Sequence, residues 1–141
     1  MKKIFSWALL CVCMVAAVNA QKINVPAAVA NAFKSKFPDA AGIKWGKENA
    51  KEYEAEFKLG TTAVSANFGV DGSWKETETA ISVTELPVAV SSAITAKYSG
   101  AVITGADKIE KPGGKTYYEA EITVNNKKKE VILTEAGTFT K

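Results

Sequence analysis

Two rows of glutamates are the residues of this chain best placed to do chemistry. Glu52, Glu54 and Glu56 alternate with Tyr53, Ala55 and Phe57, and Glu119 and Glu121 alternate with Tyr118, Ala120 and Ile122. In an extended strand, residues two apart share a face and lie about 7 Å from each other. Carboxylates held in this way could bind a hard cation such as calcium, or work as a general acid–base pair. A solvated face of an amphipathic strand reads the same way, with lysines on neighbouring strands neutralising the row. Two features favour the solvated face. No Asp-rich loop with calcium-ligand spacing is present, and the row occurs twice, whereas active sites are rarely duplicated whole.

Trp45, Trp74 and Tyr117 form a second candidate set, since tryptophan and tyrosine are favoured anchors at protein interfaces. Packing in or beside the core is the competing role, and the match of Trp74 to Phe139 described below favours it. Lys127, Lys128 and Lys129 could meet an anionic surface. Beside Asn125-Asn126 and followed by Glu130, they read more simply as a solvated hairpin tip. Gly105, Gly113 and Gly114 make no phosphate-cradling pattern. No cofactor motif is present.

The 141-residue chain has no His and no Arg, and its only cysteines are Cys11 and Cys13. Met1–Ala20 reads as a secretory leader: Lys2 and Lys3 start it, Ile4 to Val18 is almost wholly apolar, and Val18-Asn19-Ala20 ends it with small residues. Lipid attachment at Cys11 or Cys13 would want a small preceding residue, and the neighbours are Leu10 and Val12. Cleavage near Ala20 predicts a periplasmic or secreted protein without Cys. Its 16 lysines (18 − 2) stand against 15 acids, a net charge of +1. A disulfide scaffold, a zinc site built on Cys or His, and a His-dependent triad are therefore excluded for the mature chain. Near-neutral charge without Arg argues against nucleic acid as a partner. The mature chain has no apolar run of membrane-spanning length.

The elements that must position these residues are written twice. Val25-Pro26-Ala27-Ala28-Val29 matches Leu86-Pro87-Val88-Ala89-Val90, an offset of 61 (87 − 26). Tyr53-Glu54-Ala55-Glu56-Phe57 matches Tyr118-Glu119-Ala120-Glu121-Ile122, and Asp71-Gly72-Ser73-Trp74 matches Ala136-Gly137-Thr138-Phe139, both at 65 (118 − 53). The extra residues of the second copy fall naturally in Lys111-Pro112-Gly113-Gly114-Lys115. Each copy opens with a short helix. Val25, Val29, Ala32, Phe33 and Phe37 form one apolar stripe, and Leu86, Val90, Ala93, Ile94 and Tyr98 the other. Pro26 suits the first turn, with Asn24 able to cap before it, and Pro38 stops the helix. Alternating strands follow, with turns at Gly60-Thr61, Asp71-Gly72, Asn125-Asn126 and Ala136-Gly137. Earlier strands are expected around Ile43–Trp45 and Ala106–Glu110. These features predict an α+β fold of two tandem units, each a helix plus a four-stranded antiparallel sheet. Joined, they give one continuous sheet of about eight strands with both helices on one face. Residues 1–20 are then the leader, 21–80 the first repeat and 81–141 the second.

The proline-started helix, the Phe33/Phe37/Pro38 ending, Tyr53-Glu54-Ala55-Glu56-Phe57 and the Asp71-Gly72-Ser73-Trp74 turn resemble the PepSY-like family of small exported proteins of Bacteroides-type bacteria. The resemblance covers the mature chain as two copies. It implies the fold of the beta-lactamase inhibitor proteins and no established catalysis. PepSY domains elsewhere are associated with restraint of peptidases, and beta-lactamase inhibitor proteins grip an enzyme with a sheet face. The family pattern is that of a scaffold, and no inhibitory residue transfers from it. The expectation is a non-enzymatic exported module that binds a protein or peptide through the open sheet face. Trp45, Glu52, Glu54, Glu56, Trp74, Glu119 and Glu121 are its candidate contacts. The alternative is an envelope protein carrying a small ligand, peptide, glycan or metal. A hydrolase using Glu54 and Glu119 is the remaining class.

Overall fold

The structure is a computed structural model and describes residues 23–140. The leader and its cysteines lie outside the described residues. Helix α1 (Ala27–Lys36) precedes strands β1 (Ala41–Asn49), β2 (Glu52–Leu59), β3 (Thr62–Gly69) and β4 (Trp74–Ile81). A short 3-10 turn (Val83–Glu85) leads to helix α2 (Val88–Lys97), then β5 (Val102–Lys111), β6 (Lys115–Val124) and β7 (Lys127–Thr134). All strands join one antiparallel sheet in chain order from β1 to β7. The sheet is continuous because Thr77–Ile81 of β4 pairs with Ala106–Glu110 of β5. It has seven strands where about eight were expected. At the place of an eighth, the described residues form only an isolated bridge between Leu133 and Phe139.

Both helices start one residue later than the sequence suggests. Pro26 and Pro87 occupy the N-cap positions, without a side-chain cap, and Asn24 does not cap α1. A proline there loses nothing, because the first amides of a helix have no partner within it. Each helix is ten residues long and would be marginal alone. Each is held by what it buries: Val29 and Phe33 in α1, Val90 and Ile94 in α2.

These side chains dock on the row of β2, β3, β6 and β7 residues that points to one face. Tyr53, Ala55 and Phe57 pair across strands with Phe68, Ala66 and Val64 beneath α1. Tyr118, Ala120 and Ile122 lie beneath α2 with Val131 and Leu133. Tyr53 and Tyr118 are equally buried, at 7% and 8% exposure, so the repeated tyrosine has one structural role. Val131 and Leu133 face the helix and Ile132 the opposite side, which fixes a phase the apolar run Val131-Ile132-Leu133 left open. The Asn125-Asn126 turn has positive φ at both residues, the twist a two-residue hairpin needs.

Between the halves, Ser82 and Glu85 close a capping box. The Ser82 hydroxyl accepts from the Thr84 amide, and Glu85 accepts from the Ser82 amide at 2.7 Å. Ser82→Ala is expected to cost about 1 kcal/mol, measured by urea denaturation. An unchanged midpoint would show that the box does not hold the connector.

Candidate functional site: the open face of the sheet

Because side chains alternate, every residue out of phase with the core points to the face the helices leave uncovered. Glu54 and Glu56 of β2 lie there, across from Asn67 and Ser65 of β3, which in turn face Glu76 and Glu78 of β4. Beyond β4 come Ile109 and Asp107, then Tyr117 and Glu119 of β6 with Thr134 and Ile132 of β7. Glu121 and Glu130 face each other at the far side. Glu52 sits at the end of the same row and accepts a hydrogen bond from Asn49 Nδ2 at 2.8 Å. The five glutamates singled out from the sequence, Glu52, Glu54, Glu56, Glu119 and Glu121, therefore share one face. The sheet adds Glu76, Glu78, Asp107 and Glu130 between and beside them.

The tryptophans do not belong to this face. Trp45 stands across from Ala55 and meets the Phe33 ring edge-on at 5.1 Å. Trp74 stands across from Phe68. Its ring lies under the Lys36 ammonium at 3.7 Å, and its indole N–H donates to Thr77 at 2.9 Å. Both are in phase with the core on the helix side. In the second copy Phe139 lies under Lys97 at 4.0 Å, so the aromatic after the Gly turn clamps the end of its helix in each half.

The electrostatics of the open face divide into a rim and a centre. At the rim, Lys111 pairs with Glu76 at 2.8 Å and Lys128 with Glu121 at 2.9 Å. Hydrogen bonds from Lys128 and Thr104 hold Glu121 below the usual carboxylate range. At the centre, Glu54, Glu78, Asp107 and Glu119 make no ion pair with any described residue. Burial against the sheet pushes Glu78 up to about 8, helped by repulsion from Glu119, Glu76, Asp107 and Glu54. Burial, with Glu130, Asp107 and Glu76, pushes Glu119 up to about 7. Burial raises Glu54 and Asp107 as well. Ile109 contributes to the burial: it lies on this face between Glu78 and Tyr117 and is 2% exposed.

This arrangement offers charge and contact area. Among the described residues no group of His, Cys, Asp or Glu side chains is arranged to hold a metal ion. No helix among them is long and apolar enough to cross a membrane. A family model described as "Putative beta-lactamase-inhibitor-like, PepSY-like" matches residues 7–61 and again 51–141. The chain belongs to this PepSY-like family. No curated protein matches. Among solved structures, a BLIP-like protein from Bacteroides fragilis is 25% identical with a TM-score of 0.70, over 85% of this chain and 86% of that one. A DUF2874 family protein from Bacteroides uniformis is 25% identical with a TM-score of 0.73, over 82% and 86%. A protein from Bacteroides eggerthii, described as a putative periplasmic protein, shares the fold at 24% identity and a TM-score of 0.75, over 84% and 88%. The PepSY-like chain thus carries a helix-covered face and one uncovered face on a single sheet.

The sequence did not single out Glu76, Glu78 and Asp107. The polar run Lys75-Glu76-Thr77-Glu78-Thr79 shows no apolar alternation, because its inward residues are threonines; Thr77 is buried and bonded to Trp74. The usable signal was the spacing of Glu76 and Glu78, the same i, i+2 pattern as Glu54 and Glu56.

Proposed function

We propose that the open face grips an exported or envelope protein, and that it restrains a peptidase or another exported enzyme. The observation that carries this reading is the set of central carboxylates, Glu54, Glu78, Asp107 and Glu119, left without cations on a face that also presents Tyr117 and Ile132. A desolvated, uncompensated charge cluster is costly in the isolated protein, and a partner bringing cations removes that cost. Family membership supports a binding scaffold, and the leader supports a site of action in the periplasm or outside the cell. So does the periplasmic description of the Bacteroides eggerthii protein. The two binding units are residues 21–80 and 81–141, so the face spans both.

The test is capture from periplasmic extract on immobilised mature protein. A discrete protein is expected, and its enzymatic activity should fall when the mature protein is added. Glu54→Lys combined with Glu119→Lys should cut retention about tenfold or more. Equal retention by this variant would overturn the assignment to the open face.

A second reading rests on a groove of about 360 Å³ on the helix side, lined by Lys36, Phe37, Trp74, Thr77 and the β5–β6 hairpin around Lys111–Thr116. It suits a small ligand or peptide. A saturable thermal shift that survives the Glu54/Glu119 charge reversal would favour it.

A further inference from the structure

The centre of the open face has an arrangement that goes beyond gripping a partner. Glu78 sits on β4, the middle strand of the sheet. Its direct cross-strand neighbours are Ser65 and Ile109, neither of which carries charge. The charged groups around it are nearly all of one sign. Its own strand contributes Glu76. Across β3, the β2 strand presents Glu54 and Glu56. On the other side, β5 presents Asp107 and β6 presents Glu119, with Glu130 of β7 beyond.

The lysines facing the same way are engaged or peripheral. Lys111 is held by Glu76, and Lys128 by Glu121. Lys44 stands across from Glu56 at the β1 edge. Lys58 ends the β2 row, Lys115 is level with Lys111 at the β5–β6 turn, and Lys75 lies beside Gly69 and Asp71 at the start of β4, away from the centre. Asn67 lies across strands from both Glu54 and Glu76. Its Nδ2 donates to Glu76 at 3.4 Å, while its Oδ1 is buried and accepts no hydrogen bond.

We infer that the open face is a proton-controlled surface, on which protonation of the unpaired carboxylates at its centre sets whether a partner meets a neutral or a strongly negative sheet. The partner half of this statement rests on the binding reading above, and the proton half does not. The direction of the titrations agrees with the geometry, since Glu78 and Glu119 are raised to about 8 and about 7. The stability linkage follows. A carboxyl whose folded value lies above its unfolded value of 4.5 stabilises the fold fully below pH 4.5. That stability is lost as pH rises, through about 7 for Glu119 and about 8 for Glu78. The fold is therefore expected to melt at a lower temperature at pH 8.5 than at pH 5.

Carboxyl-carbon NMR titration of the mature protein tests the proton half without any partner. Two carboxyls are expected to titrate above pH 6. One should vanish in Glu78→Gln and the other in Glu119→Gln. The near-isosteric glutamine keeps the fold, and each variant should melt with a shallower dependence on pH than the parent. If no carboxyl of the face titrates above pH 6, proton control is overturned, whatever the protein captures. If the two high titrations are present, proton control holds, even where capture from extract fails. That failure would count against the binding reading alone.

Discussion

Phe33→Ala is expected to remove about 3–5 kcal/mol of stability, the usual range for truncating a buried aromatic ring. Domains of this size have about 5–15 kcal/mol in total, so the variant should sit close to unfolding at ambient temperature. Phe33 is 4% exposed, and its ring meets four others: Phe37, Trp45, Phe57 and Phe68, at 5.0–6.2 Å. It is the plug that α1 inserts into the first half, as Ile94 is for α2. The loss should not stay in that half. The β4–β5 ladder makes both halves one sheet, so the chain should unfold in a single transition. The described tryptophans, Trp45 and Trp74, both report on the first half, whereas Tyr98, Tyr117 and Tyr118 report on the second. Urea melts followed by tryptophan fluorescence and by tyrosine absorbance should coincide, in parent and variant alike. A tyrosine transition that persists after the tryptophan signal is lost would show two independent units.

Gly72→Ala and Gly137→Ala are expected to be nearly as damaging, at about 3 kcal/mol or more each. Both glycines have positive φ, +84° and +82°. A Cβ at Gly72 would lie 2.7 Å from the carbonyl oxygen of Ala28, and one at Gly137 would overlap that of Ala89. These are backbone atoms at the first turn of α1 and α2, which cannot rotate away. The turn that follows β3 in the first unit, and β7 in the second, thus props the helix that opens the unit. Gly60→Ala supplies the control, with φ +61° and nothing within 4 Å of the added carbon. It should cost only the strain of the backbone angle, about 1 kcal/mol. Thermal melts of the three variants decide the matter, and equal losses at Gly60 and Gly72 would remove the turn–helix contact from the account.

The repeat made the scaffold legible, because a helix stripe and an alternating strand are periodic and recur at fixed offsets. Tyr53 and Tyr118, Val29 and Val90, and the glutamate rows all fell where the pattern put them. Strand β1 was harder to read. It is an edge strand exposed along most of its length, so no apolar alternation marks it apart from Trp45. The face of Trp74 was obscured by a bulge between Asn67 and Phe68, which shifts the register after the Gly72 turn. The centre of the site was hidden for another reason. Asp107 and Glu119 face each other across the β5–β6 ladder, but Glu78 belongs to the other copy, and only the pairing of β4 with β5 brings it beside them. That pairing joins the two copies, and a motif within one copy cannot report it.

The lysine run at the start of β7 has a further consequence. Lys128 is tied to Glu121, and Lys129 lies over the Tyr98 ring at 4.7 Å, so these ammonium groups are held along an outer strand whose far side has no full partner among the described residues. Unsatisfied amides and carbonyls on such a margin are a template for stacking chain upon chain. Three like charges beside it make lateral growth unfavourable, a safeguard that high salt or lysine acetylation would weaken, and fibril formation under those conditions would be the visible result.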